Sequence, residues 1–298
     1  MMARGTARKV RLPPAPSIRS AGRMVQTLHA GTLPVSLIDR GTGDVPIVFL
    51  HGATQDRTIW TRQVAYFRRT HRCIAYDARG HGRTPLNLGQ RERLSTELLA
   101  RDCVAVLDAL GIERAILCGV SLGGMTALQV AARAPERCAA LVLANTPMAL
   151  SLSPKLLTLI DWLNPYALLV PILRYTDPAG FARFGVRILR FVLGEGWARP
   201  EAANRLVRAF GRMPARNLVE TYRAICETRL PDLTRVDAPA LVVTGWDEAD
   251  MIFRHAAEIA RLIGRAELAT LPGGHVTNLD SPNAFNAALD DFFGRWMG

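Results

Sequence analysis

The chain reads as an α/β protein, a doubly wound, mostly parallel sheet carrying a helical insertion. Three observations carry this. Short apolar runs such as Ile47-Val48-Phe49-Leu50 recur without polar interruption, as in strands covered on both faces. Longer stretches with helical spacing separate them, and strand–helix alternation builds parallel sheets flanked by helices. From about Met148 to Pro231 the alternation stops, and helix-like segments are punctuated by Pro154, Pro165, Pro171, Pro178, Pro200 and Pro214.

Taken in order, residues 1–30, with Pro13, Pro14 and Pro16 among arginines, predict a basic flexible arm. Strands are expected at Leu33–Asp39, Ile47–His51, Arg72–Tyr76, Ala115–Cys118, Ala140–Ala144, Ala240–Thr244 and Glu267–Leu271. Helices are expected at Trp60–Arg69, Glu97–Leu110, Gly124–Arg133, Ala256–Leu262 and Ala284–Trp296. The core thus comprises residues 31–147 and 232–298. Residues 148–231 are expected to form a helical cap, since lids over ligand sites are often insertions between strands of such a sheet.

Composition bounds the function. The chain has 298 residues, 49% of them hydrophobic and 21% charged, which suits one large domain with an insertion. Its longest mainly apolar stretch, Trp162–Leu173, is interrupted by Asn164, Pro165 and Pro171 and falls short of the ~20 residues that span a bilayer. No membrane span is predicted. Five scattered cysteines without a Cys-x-x-Cys pair predict reduced thiols. No apolar segment of ~7 to 15 residues follows the basic N-terminus, so no secretory signal is expected and the predicted location is cytoplasmic. The net charge of +11 is concentrated in two places. Residues 1–23 hold six basic residues and no acid, and residues 148–230 hold twelve basic and six acidic residues. No zinc-finger spacing, RNA-binding aromatic motif or helix-turn-helix pattern accompanies this charge, so it reads as solvated surface and no nucleic-acid partner is expected. No histidines or cysteines fall at ligand spacing, so neither a metal nor another cofactor is expected. Nothing in the sequence fixes an oligomeric state.

The chemistry centres on Gly119-Val120-Ser121-Leu122-Gly123-Gly124, between the run Ala115–Cys118 and the helical pattern Met125–Arg133. A serine on a sharp strand-to-helix turn exposes its hydroxyl, and glycines flank it because side chains would clash in so tight a turn. At these Gly and Ser frequencies chance supplies roughly 0.05 such motifs. No Lys-Ser/Thr follows, which excludes a phosphate loop of the ATPase type. A serine nucleophile needs a base, and in this arrangement acid and then histidine follow it along the chain. Only His255 and His275 lie beyond Ser121. His255 has charged neighbours at a helix start and reads as a surface residue. His275, in Leu271-Pro272-Gly273-Gly274-His275, leaves the last strand on a flexible loop that can project an imidazole toward the serine. The third member, which orients the imidazole, is sought in Gly245-Trp246-Asp247-Glu248-Ala249-Asp250, where Asp247, Glu248 and Asp250 compete.

These motifs, with His51-Gly52 after one strand, Asp77-Ala78-Arg79-Gly80-His81-Gly82-Arg83-Thr84 after the next, and Leu279-Asp280-Ser281-Pro282 after the histidine, resemble the α/β-hydrolase family from about residue 30 to 298. Leu141–Thr146 and Gly124-Met125 resemble 3-oxoadipate enol-lactone hydrolases and related small esterases. The resemblance implies the α/β-hydrolase fold and an acid three residues after the glycine ending its strand. That residue is Glu248, where the family more commonly has an aspartate; Asp250 and Asp247 are the alternatives. It also implies an oxyanion hole made by the backbone N–H groups of Ala53 and Leu122. It implies that His51 shapes its loop and that Asp77–Thr84 is a structural turn with an Asp–Arg contact. The implied activity is cofactor-independent serine hydrolysis of a small-molecule carboxylic ester or lactone, through an acyl-enzyme on Ser121 with His275 as base. A carbon–carbon bond hydrolase or an acyltransferase would use the same residues, and a ligand receptor would use the same scaffold without turnover. The cap residues Leu156, Leu157, Leu159, Ile160, Trp162, Leu163 and Tyr166 suit an apolar acyl group, with arginines nearby for a carboxylate.

Overall fold

The computed structural model describes residues 25–148 and 178–296. Strands β1 (Gln26–Ala30) and β2 (Leu33–Arg40) form a hairpin and are followed by β3 (Ile47–Leu50), α1 (Thr61–Phe67), β4 (Cys73–Tyr76), α2 (Thr96–Ala109), β5 (Ala115–Val120), α3 (Leu122–Arg133) and β6 (Cys138–Ala144). Then come α4 (Pro178–Leu193), α5 (Pro200–Phe210), α6 (Ala215–Cys226), β7 (Ala240–Gly245), α7 (Asp250–Leu262), β8 (Ala266–Leu271), α8 (Thr277–Asp280) and α9 (Pro282–Trp296). The sheet has eight strands in the order β1-β2-β4-β3-β5-β6-β7-β8. β2 runs antiparallel to both its neighbours, and every other pairing is parallel.

The unbroken apolar runs are explained by the layers on either side. Side chains alternate across a strand. Val48, Leu50, Leu117, Leu141, Leu143 and Val242 therefore pack on one face with Cys103, Val106 and Leu107 of α2, Leu128 and Ala131 of α3, and Ala256 and Ile259 of α7. Ile47, Phe49, Ile116, Cys118, Val142 and Val243 pack on the other with Val64 and Phe67 of α1 and Phe285, Leu289 and Phe292 of α9. Each fully buried Leu or Phe contributes roughly 1.5–3 kcal/mol. Helix starts follow local chemistry: Ser95 Oγ accepts the Leu98 N–H at 3.1 Å to cap α2, and Pro282 opens α9.

Every strand expected from Leu33 onward is present, each within two residues of its expected bounds. The expected arm of residues 1–30 requires one correction, because Gln26–Ala30 pair with Leu37–Leu33 as β1. Residues 1–24 lie outside the described residues. Helix α7 begins at Asp250 rather than Ala256, since Ile252, Ala256 and Ile259 form a single buried stripe. Among the described residues of the expected cap there are helices α4, α5 and α6 and no strand. Its apolar residues Leu156, Leu157, Leu159, Ile160, Trp162, Leu163 and Tyr166 lie outside the described residues.

Candidate active site

Ser121 is the single residue between β5 and α3, with φ 52° and ψ −116°. A non-glycine residue in this region is strained by roughly 1–3 kcal/mol, and the surroundings must hold it there. The Ser121 N–H donates to the Ala144 carbonyl at 2.9 Å, and its own carbonyl accepts the Met125 N–H at 3.0 Å. A Cβ on Gly123 would run into the Leu50 carbonyl, so only glycine lets α3 lie this close to β3. The serine hydroxyl does not cap α3.

The parallel register brings the carboxyl ends of β5, β6, β7 and β8 to one edge of the sheet. Ser121 follows β5, Glu248 lies three residues beyond β7, and His275 lies four beyond β8. Glu248 Oε2 is 2.6 Å from His275 Nδ1, and Glu248 Oε1 accepts the Ala249 N–H at 2.9 Å. The Glu248 side chain is fully buried, while that of His275 is 20% exposed. A carboxylate only accepts, so Nδ1 carries the proton and Nε2 keeps its lone pair. Burial disfavours the imidazolium of His275, but the charge of Glu248, its hydrogen bond and the charge of Asp280 outweigh this and raise the pKa above the ordinary 6.5.

The other two acid candidates are engaged elsewhere. Asp247 is largely exposed; its N–H donates to the Gly273 carbonyl at 2.9 Å and its carboxylate lies 3.9 Å from Arg199. Asp250 is the first residue of α7, where a negative charge favours the helix dipole. His255, within α7, is half-buried rather than on the surface, and its Nδ1 accepts the Met148 N–H at 3.3 Å.

Ala53 and Leu122 complete the expected set. Leu122 opens α3, so its N–H has no acceptor within the helix. Among the described residues neither its N–H nor that of Ala53 is taken by a hydrogen bond. The loop carrying Ala53 is tightly fixed. His51 Nε2 accepts the Ala78 N–H at 2.9 Å, leaving Nδ1 to donate to the Gly52 carbonyl at 2.8 Å, and Gln55 Oε1 accepts the Gly52 N–H at 3.0 Å. Burial holds the His51 pKa below its usual value and, with His51 adjacent, pushes that of His81 down to about 3. Both rings are therefore neutral and structural near neutrality. Asp77 binds the Arg57 guanidinium and accepts the N–H groups of Arg57 and Arg83, both at 2.9 Å. Arg79 makes a bidentate pair with Asp102 at 2.7 and 2.6 Å.

Two further residues have no role assigned from the sequence, although Asn145 lies within the Leu141–Thr146 resemblance. Asn145, fully buried with φ 45°, donates to the Gly274 carbonyl at 3.0 Å and accepts the Gly245 N–H at 2.9 Å, joining the ends of β6 and β7 to the histidine loop. Trp197, from the insertion, stacks on His275. These contacts span 78 to 129 residues of chain, and no local spacing announces them. Asp280 stood in a motif without a role; it accepts the Gly274 N–H at 2.9 Å, and burial together with the charge of Asp247 raises its pKa.

Known proteins resemble the chain along most of its length. The model of the alpha/beta hydrolase family matches residues 47–288. The chain is 26% identical over 279 residues to 3-oxoadipate enol-lactonase 2 of Acinetobacter baylyi, covering 91% of this chain and 97% of that protein. It is 32% identical over 279 residues to a putative carbamate hydrolase, RutD, of Variovorax paradoxus, covering 88% and 97%. Among solved structures, the enol-lactonase from Burkholderia xenovorans superposes with a TM-score of 0.73 at 25% identity, covering 89% of this chain and 98% of that one.

Proposed function

The chain belongs to the alpha/beta hydrolase family and is a hydrolase, and from that premise we propose that it cleaves a carboxylic ester or lactone with Ser121 as nucleophile, His275 as base and Glu248 as the orienting acid. The observation that carries this reading is the 2.6 Å pair between Glu248 Oε2 and His275 Nδ1, which leaves Nε2 as a lone-pair acceptor at the sheet edge where the strained turn presents Ser121.

Each step then uses groups of this chain. Ser121 Oγ attacks the carbonyl carbon while its proton passes to His275 Nε2, and Glu248 stabilises the imidazolium that forms. The carbonyl electrons move onto oxygen, where the N–H groups of Ala53 and Leu122 receive them; each such donor is worth about 3 kcal/mol in the transition state. Collapse expels the alcohol, which takes the proton from Nε2 and leaves an acyl-enzyme. Water gives its proton to Nε2 and attacks the acyl carbon, and Ser121 leaves with that proton. One ester and one water become one acid and one alcohol. In a lactone the alcohol stays tethered to the acid.

The insertion between β6 and β7 is read as a cap over this site. In support, Asn217 Nδ2 of α6 donates to the Gly80 carbonyl at 2.8 Å, and Glu220 accepts the Leu94 N–H at 3.2 Å. These contacts fasten the insertion to the loop after β4. Five free cysteines, four of them buried, accord with a reducing compartment.

A panel of p-nitrophenyl esters of increasing acyl length, with γ- and δ-lactones and an aryl carbamate alongside, tests the reading. Turnover on an ester or lactone that Ser121→Ala abolishes supports it. Turnover confined to the carbamate, or unchanged in Ser121→Ala, refutes it.

A further inference from the structure

Glu248 holds His275 by one edge only. A single hydrogen bond at Nδ1 leaves the ring free to tilt about the bond axis, and the terminal torsion of histidine is soft. A second constraint comes from the insertion. Trp197, in the 3₁₀ turn Glu195–Trp197 between α4 and α5, stacks on the imidazole with ring centroids 5.4 Å apart and planes 18° apart. Its main-chain carbonyl accepts the His275 backbone N–H at 2.7 Å. A Cβ on Gly274 would collide with the carbonyls of Gly196 and Trp197, so the turn and the histidine loop run in direct backbone contact. Trp197 is itself immobilised, 9% exposed and within the apolar cluster that holds Val276 and Leu279.

We propose that Trp197 is a positioning residue for His275: its indole face sets the plane of the imidazole and its main-chain carbonyl anchors the His275 backbone, so that Nε2 addresses the Ser121 hydroxyl. The inference rests on the triad reading given above. It makes the base a shared product of core and insertion, with the core supplying Glu248 and the insertion supplying the wall. The charges acting on the ring are those of Glu248 and Asp280, and Asp247 and Arg199 in turn act on Asp280. A substitution of Trp197 leaves all four in place, so its effect reports ring placement rather than lost charge. A misplacement of about 1 Å in a reacting group costs on the order of 100-fold in rate.

The test uses the full chain and short p-nitrophenyl esters. Ser121→Ala comes first. If it leaves turnover intact, the triad reading fails whatever Trp197 does. With turnover abolished there, Trp197→Leu is expected to lower kcat by about tenfold or more while KM stays within about twofold, and Trp197→Phe, which keeps a stacking face, is expected to recover most of that loss. Thermal unfolding of each variant confirms the folded state, and Trp197→Met replaces the leucine variant if the latter does not fold. A smaller loss of kcat, a change confined to KM, or a phenylalanine variant as slow as leucine overturns the proposal.

Discussion

Three carboxylates lie within five residues of the end of β7, and each stands in a different setting. Glu248 is buried against His275, Asp247 faces solvent and Arg199, and Asp250 starts a helix. Glu248→Gln is therefore expected to lower turnover by roughly three to four orders of magnitude, because an amide imposes the wrong tautomer and cannot stabilise imidazolium. Asp247→Asn and Asp250→Asn are expected to stay within about threefold, since exposed charges interact weakly through water. Initial rates of the three amide variants on one ester check this. The raised pKa of His275 fixes the sign of the pH response. The imidazole must be neutral to accept the Ser121 proton, so kcat/KM is expected to fall as pH drops through a single midpoint above 6.5. A pH–rate profile from 5 to 9 with a midpoint below 6 contradicts that assignment. The turn at Ser121 and the loop carrying His275 are legible in the sequence because both need glycines at fixed offsets. Three carboxylates lie at the loop, Glu248 being the one the resemblance implies over Asp250 and Asp247, and Glu248 is the one that lies 2.6 Å from His275 Nδ1. The clamp made by Asn145, which lies in the Leu141–Thr146 resemblance, and the stacking face of Trp197 are not legible, because both exist only once distant strands and the insertion meet.

Two elements frame the proposed chemistry, the strained turn at Ser121 and the loop carrying Ala53. The second is held by the buried pair Arg57–Asp77, in which the arginine side chain is 8% exposed and the aspartate fully buried. Arg57→Ala leaves a buried carboxylate without its partner, which is expected to cost about 3–5 kcal/mol of stability. Urea unfolding checks this; a loss below 1 kcal/mol would show that Asp77 is satisfied by its backbone N–H partners alone. The same physics explains which elements the sequence revealed. The five inner strands β3 to β7 are buried along their whole length and stand out as apolar runs, whereas the expected strands β2 and β8 are part-exposed and carry polar residues. β1 escaped notice because Gln26–Ala30 contains no such run and lies at the sheet margin, where only Ala30 is buried. The start of α7 was misplaced because charged residues interleave the apolar stripe that packs it on the sheet.

For the molecule as a whole, charge and architecture separate. The positive charge of residues 1–23 belongs to no candidate catalytic group, and the sheet begins only at Gln26. Deleting residues 1–23 is expected to leave ester turnover within about threefold and the unfolding midpoint unchanged; a drop beyond tenfold, about 1.4 kcal/mol, would show that this segment takes part in the site. No helix among the described residues is long and apolar enough to cross a membrane. The division of labour is that of the whole sheet: parallel strands gather turn, acid loop and histidine loop at one edge, and the insertion meets them there through Trp197. In the proposed mechanism Ser121 forms a covalent bond to the substrate's acyl carbon, which labelling with a fluorophosphonate followed by peptide mapping tests. The expected result is one adduct per chain, on Ser121, with parallel loss of ester hydrolysis and no adduct in Ser121→Ala. An adduct on any other residue, or labelling that persists in Ser121→Ala, contradicts the account.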